Sequence, residues 1–79
     1  AEVFAVSPKG CQLASKVLAE IVKLGFFNRG VKSGSHLYVV NATDAPAILI
    51  EPCFVSSPKD MQLYDAEKMA CAIVAGLTA

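Results

Sequence analysis

Tryptophan is missing from this chain, histidine occurs once, and cysteine occurs three times in 79 residues. Three is an odd number, so at least one cysteine cannot pair within the chain. No two of Cys11, Cys53 and Cys71 stand in a Cys-x-x-Cys or related metal-ligand spacing. They read as three small buried apolar side chains of a reduced protein. Charge is sparse as well: 18% of residues are charged, and seven basic residues balance seven acidic ones. The basic residues are scattered without interleaved aromatics, which argues against a nucleic-acid partner. No apolar run approaches the length of a membrane span. The opening Ala1-Glu2-Val3-Phe4 has no basic n-region, so no signal peptide is visible, and the missing initiator Met suggests a piece of something longer.

What is present is apolar: 54% of the chain is hydrophobic, an ordinary globular balance and too much for intrinsic disorder. The length allows one domain, 1–79, without a linker or second domain. A domain so short buries a modest fraction of its surface and tends to be marginal alone.

The pattern alternates between strand and helix. Val3, Phe4 and Val6 predict a short strand over 2–6. Ser7-Pro8 is a helix start, with Ser as N-cap acceptor and Pro pre-set at the first helical position. Leu13, Val17, Ile21 and Leu24 follow at helical spacing, widened by Ala14, Leu18 and Val22, and Gly25 can close the helix. From Phe26 to Ser35 the composition is that of a loop. Leu37–Val40 predicts a second strand, and Asn41–Pro46 a break. Ala47–Ile50 predicts a third strand, buried on both faces because four apolar residues run without interruption. Ser57-Pro58 repeats the helix start with Asp60 in the first turn. Asp65 caps a last helix with Met69, Ile73, Val74 and Leu77 on its core face. The expected class is α/β: a small sheet of about three strands with two main helices, β-α-β-β-α, and a minor helix before the last.

Such a set is physically incomplete. A doubly buried strand wants cover on both faces and a neighbour on each side, and an exposed edge is a pairing liability. A partner surface is therefore expected: a second copy or the rest of a larger domain.

Glu51 stands where the 47–50 strand runs out. In open α/β sheets, chemistry gathers outside the carboxyl ends of the strands, which makes Glu51 the leading candidate for a working acid or base. A carboxylate that merely turns out to solvent is the plainer alternative.

Several blocks follow one another in order: Asn28-Arg29-Gly30-Val31-Lys32, Leu37-Tyr38-Val39-Val40, and Ala45-Pro46-Ala47-Ile48-Leu49-Ile50-Glu51 with Phe54 and Asp60. Together with the opening Glu2-Val3-Phe4 and the helix after Ser7-Pro8, they resemble the C-terminal half of the zinc-dependent N-acetylmuramoyl-L-alanine amidases of bacterial autolysins and phage endolysins. The resemblance covers nearly the whole chain. It implies a peptidoglycan hydrolase that cuts the amide between the lactyl group of N-acetylmuramic acid and L-alanine, at the bacterial cell wall. It further implies a single α/β domain with one zinc at the C-terminal ends of the strands. Zinc makes hydroxide available near neutrality, and a glutamate moves the protons. By position in the Leu-Ile-Glu run, that glutamate corresponds to Glu51.

The family's metal ligands, two histidines and a glutamate, lie upstream of the matched part. His36 sits where the family carries no ligand, and Glu2 where it has ordinary strand. No metal ligand is therefore assigned, and the chain alone is expected to bind no zinc and to be inactive. Its expected partners are peptidoglycan in the complete enzyme and the missing N-terminal half or a second copy.

Other residues carry weaker signals. Cys53 lies two residues past Glu51 but has only His36 as a conceivable base, which a thiol nucleophile would need. Arg29 and Lys32 suit an anionic ligand, though a solvated loop explains them as well. Tyr38 and Tyr64 read as core or rim residues. A different class of function stays open: a non-catalytic interaction or structural module that pairs through a free sheet edge.

Overall fold

The computed structural model describes residues 1–36, 47–54 and 56–79. Strand β1 (Glu2–Ala5) leads into helix α1 (Pro8–Val22), then strands β2 (Val31–Ser33) and β3 (Ile48–Glu51), and helices α2 (Pro58–Leu63) and α3 (Ala66–Thr78). The order among described residues is therefore β-α-β-β-α-α, an α/β fold. The sheet runs β2-β1-β3, with β2 parallel and β3 antiparallel to the central β1.

Local chemistry sets the helix starts. The Ser7 hydroxyl accepts the Gly10 amide at 2.9 Å, Ser57 accepts that of Asp60 at 3.2 Å, and Asp65 accepts that of Lys68 at 3.0 Å. Each cap satisfies one donor the helix itself leaves orphaned. Gly25 follows α1 with φ of 107°, the left-handed geometry that favours glycine.

β1 alternates strictly, with Val3 and Ala5 buried and Glu2 and Phe4 half-buried. Val3 and Ala5 lie in a core with Ala14, Val17, Leu18 and Ile21 of α1, and Ile48 and Ile50 of β3 pack against it. Val3, Val17 and Ile21 are the largest fully buried side chains. Each contributes about 1.5–3 kcal/mol by leaving water.

The strand at 47–50 differs from its expected environment. Leu49 is 37% exposed, so β3 buries one face rather than two. An apolar run reports hydrophobicity but not how many faces the neighbours cover. Residues 26–35 differ too: the expected loop contains β2. Its backbone is recruited by β1, with Arg29 N–H donating to Ala1 O, Val3 N–H to Gly30 O, and Gly34 N–H to Ala5 O. Three residues with one half-buried side chain carry almost no periodic signal. The strand expected over Leu37–Val40 lies outside the described residues.

The last helix starts where its cap signal places it, and Met69 and Ile73 meet the core as expected, but the rest of the expected core face is turned outward. Met69, Ala72 and Gly76 are buried, while Val74 and Leu77 are 57% and 45% exposed. Contact with α1 selects small residues here. A Cβ added at Gly76 would lie 2.5 Å from Val17 Cα and 2.8 Å from Val17 N, so the two backbones meet where only glycine fits. Gly76→Ala is expected to cost about 1–3 kcal/mol by overpacking a rigid contact. Gly30→Ala meets no atom within 4 Å and is strained only by its φ of 87°, about 1–2 kcal/mol. Thermal unfolding followed by circular dichroism checks both, and a silent Gly76→Ala would contradict the close helix approach.

Candidate functional site

Glu51 ends β3 and stands directly opposite Glu2 in the antiparallel register. Directly opposed residues share a face of the sheet. Val3 and Ala5 face α1, so Glu2, Phe4, Leu49 and Glu51 lie on the face turned away from it, joined by Lys32, which pairs with Phe4. The expectation that Glu51 sits at the carboxyl ends of the strands holds for β3 alone. Because β3 is antiparallel, the same edge is the amino end of β1 and the approach to β2.

Arg29 reaches this edge from the segment before β2. Its Nε is 3.9 Å from Glu2 Oε2, and its guanidinium lies 5.1 Å from the centroid of the Phe54 ring. That distance is within cation–π range. The backbone under Arg29 is fixed on both sides: its N–H donates to Ala1 O at 2.9 Å, and Gly30 N–H donates to Asn28 Oδ1 at 2.8 Å.

The segment after Glu51 is held by a buried carboxylate. Asp60 is 7% exposed, and its Oδ2 accepts the Phe54 amide at 2.8 Å. The sequence marks Asp60 only as a first-turn acid of α2. Its carboxylate in fact ties α2 back to the strand end, a role that six residues of separation hide. A cavity of about 380 Å³ opens beside it, lined by Arg29, Phe54, Ser56, Ser57 and Asp60 together with Ala1 and Phe27.

The remaining candidates play other parts. His36 is exposed and packs edge-on against Phe4, with ring centroids 5.9 Å apart at 77°. Cys53 lies near Glu51 in sequence but packs against the apolar core, as Cys11 does, which leaves no support for a thiol nucleophile. Cys71, expected to be buried like the other two, is instead exposed on α3, because α3 turns Met69, Ala72 and Gly76 inward. Tyr64 is 45% exposed at the end of α2, and Tyr38 lies outside the described residues. Among the described residues no group of three His, Cys, Asp or Glu side chains could hold a metal ion. Glu2 was legible only as a strand residue, since nothing short of the pairing register sets it against Glu51.

These elements define an α/β unit that presents one glutamate at the end of a strand, bordered by a second carboxylate, an arginine and an aromatic ring. Residues 1–79 match the family model described as N-acetylmuramoyl-L-alanine amidase, and the chain belongs to that family. Its structure is similar to the catalytic domain of CD27L, an endolysin targeting Clostridia difficile, with a TM-score of 0.92 and 31% identity. The match covers 98% of this chain and 44% of that one. In sequence it is similar to two uncharacterized proteins of Clostridium perfringens. One, from strain 13, is 45% identical over 40 residues, 51% of this chain and 12% of that protein. The other, of 38.4 kDa, is 46% identical over 37 residues, 47% of this chain and 11% of that protein. The chain thus spans less than half of the endolysin domain, and the matched stretches cover about a tenth of the clostridial proteins.

Two outcomes are expected of this geometry. Asp60→Ala strands the Phe54 amide and should cost about 1–3 kcal/mol. Asp60→Asn keeps an acceptor and costs less, and urea denaturation separates the two. A thiol reagent on the native protein should label Cys71 well before Cys11 and Cys53; equal rates would contradict the core placement.

Proposed function

We propose that this chain supplies the general-base part of a peptidoglycan amidase that cleaves between the lactyl group of N-acetylmuramic acid and L-alanine. The observation that carries the reading is Glu51 at the end of β3, on the sheet face turned away from α1, in a chain of the amidase family. In this reading the Glu51 carboxylate takes a proton from the attacking water as its oxygen adds to the amide carbonyl. The same carboxyl then gives a proton to the departing nitrogen as the C–N bond breaks. The products are the lactyl carboxylate and a free L-alanine amino group. Positioned proton transfer of this kind is worth about 10²–10⁴-fold.

The described residues do not fit a zinc site, since His36 is turned against Phe4 and no third donor gathers around Glu2 and Glu51. A zinc ion in the complete domain therefore draws its ligands from outside these residues. The chain is one portion of a single catalytic domain, its substrate is peptidoglycan, and its place of action is the bacterial cell wall.

The test uses the full-length protein that carries this chain, with purified peptidoglycan and release of L-alanine amino groups as the readout. Glu51→Gln is expected to lower turnover by at least about 10²-fold while metal content stays unchanged. Full activity in that variant would overturn the assignment. No release by the unaltered full-length protein would favour an interaction module instead.

A further inference from the structure

Glu2 and Glu51 oppose each other across two paired strands, and direct pairs hold their Cβ atoms about 4.5–5.5 Å apart. Like charges in that relation repel, and neither residue is fully open to solvent. The Glu2 side chain is only 13% exposed, which limits the screening water provides. Among the described residues, Arg29 is the cation that approaches the pair. Arg29 Nε is 3.9 Å from Glu2, and the guanidinium plane also rests over Phe54, three residues beyond Glu51.

As a stabilising ion pair this contact is weak, because it is long and the Arg29 side chain is 54% exposed. Its geometry has another consequence. Arg29 touches the residue opposite Glu51 through charge and the segment beyond Glu51 through stacking. Phe54 is itself pinned by Asp60, and Arg29 by the hydrogen bond its backbone N–H donates to Ala1 O. Arg29 thus engages the residue that stands opposite Glu51 in the strand pair.

We infer that Arg29 is a positioning residue for Glu51: it engages the Glu2 carboxylate, so that Glu51 is not displaced by its opposite number. This rests on the reading of Glu51 as general base. Arg29 touches neither the reacting atoms nor Glu51 in this arrangement. It acts by neutralising Glu2, and the Phe54 ring gives the guanidinium a surface to rest on. A lysine ammonium supplies the same charge, but without the planar guanidinium that can rest over an aromatic ring.

The experiment is steady-state kinetics of peptidoglycan amide cleavage by the full-length protein. Glu51→Gln is measured first: retained turnover in that variant defeats the proposed function itself, independently of any effect at Arg29. Arg29→Gln is then expected to lower kcat about thirtyfold with KM within about twofold, since a small displacement of a reacting group costs up to about a hundredfold. Glu2→Gln alone should stay within about threefold of the natural protein, because it removes the repulsion along with its counter-charge. The decisive variant is the double one. Glu2→Gln with Arg29→Gln should recover kcat to within about threefold of Glu2→Gln alone.

A merely structural arginine would not be rescued by removing a second charged group. A double variant as slow as Arg29→Gln therefore overturns the inference. A rise in KM with kcat unchanged overturns it too, and would make Arg29 a direct contact for an anionic part of the substrate. Should Arg29→Gln fail to fold, Arg29→Lys carries the test. It keeps the charge and is expected to hold kcat within about fivefold, so a thirtyfold loss there contradicts the charge-pairing role.

Discussion

The burial of Val3 and Ala5 beneath α1 is the constraint that sets the remaining geometry. Side chains alternate along a strand, so fixing two residues inward turns Glu2 and Phe4 outward. Pairing then transmits that parity sideways. Ile48 and Ile50 of β3 must join Ala5 and Val3, and Leu49 and Glu51 must join Phe4 and Glu2. A slip of one residue would send Glu51 into the core and Ile50 to the outer face. The catalytic candidate thus owes its orientation to two small apolar side chains on another strand.

The helices secure this parity from the covered face. α1 supplies Ala14, Val17 and Ile21 to the strands, and α3 locks α1 from behind through the glycine contact at Val17. That contact leaves no slack, because no methyl group separates the two backbones. The outer residues of α3, Val74 and Leu77, are therefore exposed although their apolar character suggests otherwise. Shape, more than hydrophobicity, chose the face.

On the other side the strand end is governed by polar contacts. Asp60 holds the Phe54 amide, Arg29 rests on the Phe54 ring, and Glu2 stands opposite Glu51. The four charged groups come from four separate segments, none adjacent in sequence. The arrangement around Glu51 is a property of how β1, β3 and the segment before β2 are laid side by side.

By itself the sequence determined whatever depends on near neighbours in the chain. Ser7, Ser57 and Asp65 announce the three helix starts because a cap bonds an amide only three residues on. The stripe of Val17, Ile21, Ala14 and Leu18 announces the buried face of α1 because helical periodicity is local, and the ordered blocks ending at Glu51 announce the family. Only the tertiary structure decided what depends on distant pairing. β2 exists because β1 offers it hydrogen bonds, not because Val31–Ser33 favours a strand. Leu49 is exposed, α3 turns its glycine inward, and Glu2 meets Glu51, each for the same reason. Which surfaces meet is set by the balance of packing across the whole fold, and a linear pattern encodes what a residue prefers without naming its neighbour.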